Sequence, residues 1–291
     1  MSTHSIPSSD DMRLAEARRR RATLLGIAVA VLFVVVPFLF WRGTWFGRPL
    51  TDQELAKYLA DEESPRHIQH ALVQIGERII RGDRAASRWY PQVVALAESP
   101  HPEIRITLAW VLGADTRPEE FHRTLRDFLH DPEPMVRRNA ALSLVRFGDD
   151  GGRAEIFAML RPFAVQSPSA GTLSYQLPVG NTAERGTLIA RLEMGEGTRD
   201  VQSPVPGTVD RWLVGDQTRV TAGEEILQLG PGTEQVWEAL RALYLVGRTE
   251  DLPEVERYVR GEVPGMSEEV QQQAALTAAE IRRRKPVTSG Q

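Results

Sequence analysis

The residues able to do chemistry are few. His67 and His70 stand three apart on one predicted helix, a spacing that lets two imidazoles converge on a metal ion. The nearest acids, Glu62 and Glu63, fall before that helix, so no carboxylate completes a ligand set and the pair reads as a solvated face. His101, His122 and His130 lie in or beside turns and read as surface or capping residues. Glu196, between Gly195 and Gly197, is a lone acid in a turn. General acid catalysis needs a positioned partner and a shifted pKa, and the sequence shows neither. The chain has no cysteine, which removes disulfides, thiolate nucleophiles and thiolate metal sites. It also lacks Gly-x-Ser-x-Gly, phosphate-loop and His-Glu-x-x-His patterns. The expectation is no catalytic, cofactor-binding or metal-ligating residue, no cofactor and no enzyme.

One stretch occurs twice. Val165-Gln166-Ser167-Pro168-Ser169-Ala170-Gly171-Thr172 returns 36 residues later as Val201-Gln202-Ser203-Pro204-Val205-Pro206-Gly207-Thr208. A Val-Gly pair follows each copy (Val179-Gly180, Val214-Gly215), and then a further glycine (Gly186, Gly223). Alternating runs such as Thr187 to Leu192 and Glu225 to Leu229, punctuated by Ser-Pro and Pro-Gly, read as short strands joined by tight turns. Neither half could bury its apolar face alone, so a β-sandwich of pseudo-twofold symmetry is predicted from Pro162 to Pro231.

These residues resemble the biotinyl/lipoyl barrel-sandwich hybrid family. Ser203 to Gly207, Val214 to Val220 and Ala222-Gly223 carry the resemblance in one half; Ser167 to Gly171, Val179 to Thr182 and Arg185-Gly186 carry it in the other. In carrier members, the resemblance implies, a hairpin between the halves presents a lysine for biotin or lipoate. Counting back from Ser203-Pro204, that position is Glu196, and the only lysines are Lys57 and Lys285, outside the unit. Amide attachment has no acceptor there, so the unit is expected to be unmodified. Unmodified members include the periplasmic adaptor, or membrane-fusion, proteins of efflux and secretion systems. Their long helical hairpin between the halves is replaced here by Gly195 to Asp200.

Composition is globular, at 42% hydrophobic and 25% charged. Of 35 basic residues all but Lys57 and Lys285 are arginine, yet the net charge is −4 and no basic patch recurs, so no nucleic acid is expected as a partner. Leu24 to Trp41 is an apolar run broken only by Gly26 and Pro37, and with Ala22 and Thr23 it reaches the length of a bilayer span. Arg18 to Arg21 precede it, and Trp41, Trp45 and Phe46 mark its exit. The positive-inside rule then predicts a cytoplasmic N-terminus and an extracytoplasmic bulk in a bacterial inner membrane.

From Thr51 to Arg161 the pattern becomes helical, with a period of 32. Ser99-Pro100-His101-Pro102-Glu103-Ile104-Arg105 aligns with Asp131-Pro132-Glu133-Pro134-Met135-Val136-Arg137, each followed by small residues, a leucine and a Gly-Asp or Gly-Ala-Asp turn. Fainter copies start at Ser64-Pro65 and near Val270. Periodic helix pairs indicate a solenoid, and this pattern resembles HEAT repeats, which implies protein partners. Arg153 to Arg161 and Glu234 to Val246 flank the strands, which predicts that the β-unit is inserted into a helical repeat.

Arg137-Arg138 and Arg282 to Arg284 are candidate contacts for acidic partners, and Trp89-Tyr90, Trp212 and Trp237 are candidate interface aromatics. The expected fold class is mainly α: an N-terminal transmembrane helix, a HEAT-like α-solenoid and a small all-β barrel-sandwich hybrid domain inserted in it. The expected boundaries are a cytoplasmic tail 1–21, a transmembrane helix 22–41, a linker 42–50, a solenoid 51–161, the β domain 162–232, C-terminal helices 233–284 and a tail 285–291. The expected function is a membrane-anchored extracytoplasmic scaffold or adaptor whose partners are proteins of a membrane or envelope complex, with no small-molecule substrate. The alternative is a divergent periplasmic adaptor subunit of an efflux or secretion transporter.

Overall fold

The computed structural model of the chain describes residues 49–195 and 197–284. The chain divides into two compact units, Met1–Leu55 and Ala56–Gln291. In the first, the described residues open helix α1 (Asp52–Leu59). The Thr51 N–H and hydroxyl donate to the Glu54 carboxylate at 2.8 and 2.9 Å, and the Glu54 N–H returns to Thr51 Oγ1 at 3.3 Å. This reciprocal cap satisfies donors that the first helical turn leaves open.

The second unit continues through α2 (Pro65–Ile80), α3 (Tyr90–Ala95), α4 (Pro102–Leu112), α5 (Glu119–Phe128), α6 (Pro134–Arg146) and α7 (Arg153–Ala158). Proline opens α2, α4 and α6, where its fixed φ suits the first turn and its missing N–H costs nothing. Three residues after the prolines of α4 and α6, Arg105 and Arg137 act alike. Arg105 donates to the Ser99 carbonyl at 2.7 Å and, in bidentate fashion, to Asp131 at 2.7 and 3.0 Å. Arg137 donates to the Asp131 carbonyl at 2.8 Å and to Glu155 at 2.6 Å. Each arginine thus ties the turn before its own helix to the next repeat, which is the physical content of the 32-residue period. Side chains are matched to these close contacts: a Cβ on Gly76 of α2 would come within 2.9 Å of the Trp110 ring on α4.

After α7 the chain forms eight strands: β1 (Phe163–Gln166), β2 (Gly171–Tyr175), β3 (Thr182–Ala183), β4 (Leu188–Met194), β5 (Gly197–Gln202), β6 (Gly207–Trp212), β7 (Arg219–Val220) and β8 (Glu225–Pro231). It then returns to helices α8 (Thr233–Val246), α9 (Leu252–Val259) and α10 (Glu268–Arg283). β1 pairs antiparallel with β8, Phe163 opposite Leu229, so the strands begin and end side by side. Ile156 of α7 and Met159 and Leu160 just after it share one core with Val236, Leu240 and Leu243 of α8, Tyr258 of α9 and Ala274 and Ile281 of α10. The strands therefore lie between two helices, α7 and α8, that still pack together. Tyr258 closes that core, donating its hydroxyl to the Leu160 carbonyl at 2.6 Å. A buried hydroxyl needs such an acceptor.

The strands curl into two antiparallel sheets, ordered β1-β8-β6-β3 and β5-β4-β2-β7. Advancing every strand of the first order by four gives the second order, so the halves are interleaved: each sheet takes two strands from each half. Their core is equally paired, Val165 with Val201, Leu173 with Val209, Ile189 with Ile226 and Leu192 with Leu229.

Two expectations are corrected. The fold is not mainly α: about half of the described residues are helical, and a curled β-sheet domain accounts for the stretch from Phe163 to Pro231. Several helices are also single-turn or two-turn elements, such as α3 and α7 with six residues each. The single-pass inner-membrane placement is overturned as well. Among the described residues no helix is long and apolar enough to cross a membrane. The longest, α2 and α10, have 16 residues, about 24 Å of rise against a hydrocarbon core of about 30 Å. The segment 22–41 expected to span the bilayer lies outside the described residues, as do the tails 1–21 and 285–291.

Candidate functional site

The second helix of each pair packs beside the next: α2 against α4, α4 against α6, α6 against α8 and α8 against α10. The row therefore runs on across the inserted strands. Side chains stitch it to neighbouring backbones. Asn139 Nδ2 donates to the Ile106 carbonyl at 3.1 Å and Ser143 Oγ to that of Ala109 at 2.8 Å. Thr277 Oγ1 donates to the Leu240 carbonyl at 2.8 Å, and Arg284 donates to the carbonyls of Gly247 and Tyr244. Exposed large apolar side chains gather on the same helices: Val73 and Ile80 on α2, Trp110 on α4, Tyr244 and Leu245 on α8, and Leu276 on α10. Among the described helices outside the row, only α9 adds another, Val259. Val179, Met194 and Leu213 are exposed in the β-unit, so among the described residues six of the ten exposed large apolar side chains fall on this run of helices, a surface that water covers poorly and a partner covers well.

The β-unit is seated on the first turns of α4 and α6. Met135 packs into the β core. Arg185, in the turn between β3 and β4, reaches Glu133 at 3.3 Å and Glu103 at 3.7 Å. The guanidinium of Arg138 lies over the ring of Phe163, 5.6 Å from its centre.

The charged candidates all have intramolecular contacts. Arg137 is committed to Glu155 and two backbone carbonyls. Arg138 is buried and forms no ion pair among the described residues, and burial pushes its pKa down to about 10. Arg282 pairs with Glu256 at 2.6 Å, and Arg283 and Arg284 both pair with Glu280. Arg282 and Arg283 remain largely exposed while paired.

The aromatic candidates divide. Trp89 and Tyr90 are buried, and the Tyr90 hydroxyl donates to Asp115 at 2.6 Å. Trp212 stacks on Tyr175 with ring centres 3.8 Å apart, and Tyr175 donates to the Val214 carbonyl. Trp237 carries Arg241 over its ring at 4.5 Å and packs on the helical core. Trp110, absent from the sequence-based candidates, is the exposed tryptophan of the row. A signal for it exists, since it lies two helical turns after Glu103, which is also solvent-accessible on α4.

His67 and His70 have separate contacts, and among the described residues no group of three potential metal ligands occurs. His67 Nδ1 lies 2.5 Å from Asp61 Oδ2, and its ring stacks on Tyr58. Burial lowers the pKa of His70, with Glu77 opposing. Glu62 and Glu63 lie before α2 and take no part. His101 precedes α4, and its N–H is held by Ser99 Oγ. His122 hydrogen-bonds Asp149 at 2.7 Å and stacks on Phe147, and His130 closes a turn after α5 by donating its N–H to the Asp127 carbonyl. Lys57 lies in α1, Lys285 and Glu196 lie outside the described residues, and Gly195 and Gly197 bound the β4–β5 turn.

The turn aspartates carry the largest carboxylate shifts. Asp115 accepts from Arg117 three times, from its guanidinium at 2.8 and 2.8 Å and from its backbone N–H at 3.0 Å, and also from Tyr90. The Arg117 hydrogen bonds hold its pKa down at about 2 against burial, while burial and Asp115 push Tyr90 up to about 12. Burial works to raise Asp149, but Arg126, the Gly151 N–H and His122 hold it at about 2. The two aspartates close the turns after α4 and α6, so these shifts mark repeat joints and not a reactive centre.

The comparisons with known proteins agree with this geometry in part. Residues 90–161 match the family model for HEAT repeats. That stretch runs from α3 to just beyond α7, and HEAT repeats generally mediate protein–protein interactions, which is consistent with protein partners. A solved structure described as a single-chain, multi-domain long-chain acyl-CoA carboxylase aligns with 34% of this chain at 20% identity, with a TM-score of 0.23. The match covers 10% of that chain, and a likeness at that score carries no argument about fold or activity. No curated protein matches.

Proposed function

We propose that this chain is a non-enzymatic scaffold or adaptor. Its helical row engages a protein partner, and its β-unit acts as an unmodified lipoyl-like contact module. The observation that carries the reading is the row of second helices, continuous across the insertion and bearing Val73, Ile80, Trp110, Leu245 and Leu276 exposed along it. For the β-unit, support comes from the doubled Ser-Pro-x-x-Gly segment, the interleaved halves and the absence of lysine between Pro162 and Pro231.

The test is affinity purification of the full chain with cross-linking, comparing the parent with Trp110→Asp and Leu245→Asp. The expected result is a partner whose cross-links map to α2, α4, α8 and α10 and whose recovery falls at least about tenfold in either variant. Full recovery by both variants, or cross-links confined to other surfaces, would reject the row as the binding face.

A further inference from the structure

A cleft of about 440 Å³ opens between the first sheet and the loop joining α9 to α10. Its walls are largely apolar, with Pro162, Val179, Pro231, Val263, Pro264 and Met266 among them. Apolar walls separated by so small a gap gain free energy by closing on each other. The β-unit is anchored to the helices by residues outside the cleft wall, through Met135, the Arg138–Phe163 contact and Arg185 with Glu103 and Glu133. The cleft's size is that of a small-ligand site.

One carboxylate in its wall, that of Asp210, has no side-chain partner among the described residues, neither an ion pair nor a hydrogen bond. The cationic wall residue, Arg257, is already held by Glu254 at 2.5 Å. The backbone singles out Asp210 independently. β6 and β8 pair Val209 with Leu229 and then Arg211 with Gln228, leaving Asp210 as the extra residue of a bulge, a distortion that re-aims a side chain. The equivalent strands β2 and β4 keep one register from Thr172–Glu193 to Tyr175–Ala190. The other two bulges, between β1 and β8 and between β4 and β5, are copies of each other in the two halves. The Asp210 bulge alone among the three breaks the symmetry, and it does so at the cleft.

We propose that this cleft binds a small organic cation, an ammonium on a compact apolar body. The ammonium pairs with Asp210, whose carboxylate is exposed at the cleft wall. The hydroxyls of Thr208 and Thr233, also in the wall, can accept from its remaining N–H groups. The apolar body lies between Val179 and the 263–266 loop.

The test uses the full chain and phenethylammonium, with 3-phenylpropanoate and 3-phenylpropanol as anionic and neutral counterparts, followed by calorimetry and ligand-observed NMR. Phenethylammonium should bind at least about tenfold more tightly than either counterpart. Asp210→Asn should erase that margin, and Val179→Trp, at a rim position 57% exposed, should block all three. Both positions are exposed, so unchanged melting curves are expected and show that each variant is folded. Equal affinity for the three probes, binding that survives both variants, or no binding by the parent chain overturns the assignment.

Discussion

Gly180 and Gln217 turn the same corner in the two halves of the β-unit. Both have positive φ, 87° and 57°. The Gly180 N–H donates to the Val209 carbonyl and the Gln217 N–H to the Leu173 carbonyl, each at 2.8 Å, and Val209 and Leu173 are themselves equivalent. One half has glycine at this left-handed corner, and the other carries a side chain there, which is strained. Gln217→Gly is expected to stabilise the β-unit by about 0.5–1 kcal/mol, the relieved strain outweighing the added freedom of the unfolded chain. Denaturant titration of both proteins measures this, and a destabilised variant would show that the Gln217 side chain contributes more than its strain costs.

Gly207 and Gly195 should respond differently to the same change. A Cβ on Gly207 would meet the Gly230 carbonyl oxygen at 2.5 Å, across the β6–β8 pair, whereas a Cβ on Gly195 meets nothing within 4 Å. Gly207→Ala is expected to lower stability by about 1–3 kcal/mol and Gly195→Ala by less than about 0.5 kcal/mol. Thermal melts of the two variants decide it.

Adjacent arginines should also differ in sign. Arg138 is buried without an ion pair, so Arg138→Met, which keeps the bulk and removes the charge, is expected to leave stability unchanged or raise it by about 1 kcal/mol. Arg137→Met strands the half-buried Glu155 carboxylate and frees two carbonyls, and a loss of about 1–2 kcal/mol is expected. Equal effects in a denaturation experiment would contradict the division of roles.

The turn aspartates set a low-pH limit. Asp115 and Asp149 have folded-state pKa values near 2, below the unfolded value of about 3.9. Their stabilisation is complete above the unfolded value and is lost as pH falls from there through about 2. Asp115→Asn should cost about 1–2 kcal/mol at neutral pH, with the gap to the parent chain narrowing below about pH 4. A gap that stays constant down to about pH 2 would mean that hydrogen bonding, and not charge, supplies the effect.

Much of this architecture is legible in the sequence where interactions repeat at fixed spacing. Arg105 and Arg137 announce their shared task because each bonds a carbonyl six residues back. Ser167 and Ser203 likewise mark the doubled half, each hydroxyl donating to the carbonyl two residues on. The match of Val179-Gly180 with Val214-Gly215, by contrast, misleads. The corner equivalent to Gly180 is Gln217, because the second half has gained one residue after Val209, and no local pattern reveals that slip. Helical spacing couples His67 to His70, yet its ring nitrogen meets Asp61 from the preceding turn. Arg138 has the sequence signature of a surface charge, because its burial depends on Phe163, which lies 25 positions away in another layer. The Asp210 bulge depends on register with β8 and is invisible to any one-strand reading.

The placement of the strands between α7 and α8 has a consequence for synthesis. Residues 159–232, 74 in all, must be made after α7 is complete and before Thr233 opens α8. At a translation rate of about 5–20 residues per second, α7 waits roughly 4–15 s for its partner helix. During that interval Ile156, Met159 and Leu160 have none of their α8, α9 or α10 neighbours to cover them. The β-unit can close beside them first, and its interleaved halves become complete only when β8 emerges. A nascent chain of this protein therefore carries an uncovered apolar edge for seconds, a target for a holding chaperone at one defined point in its elongation.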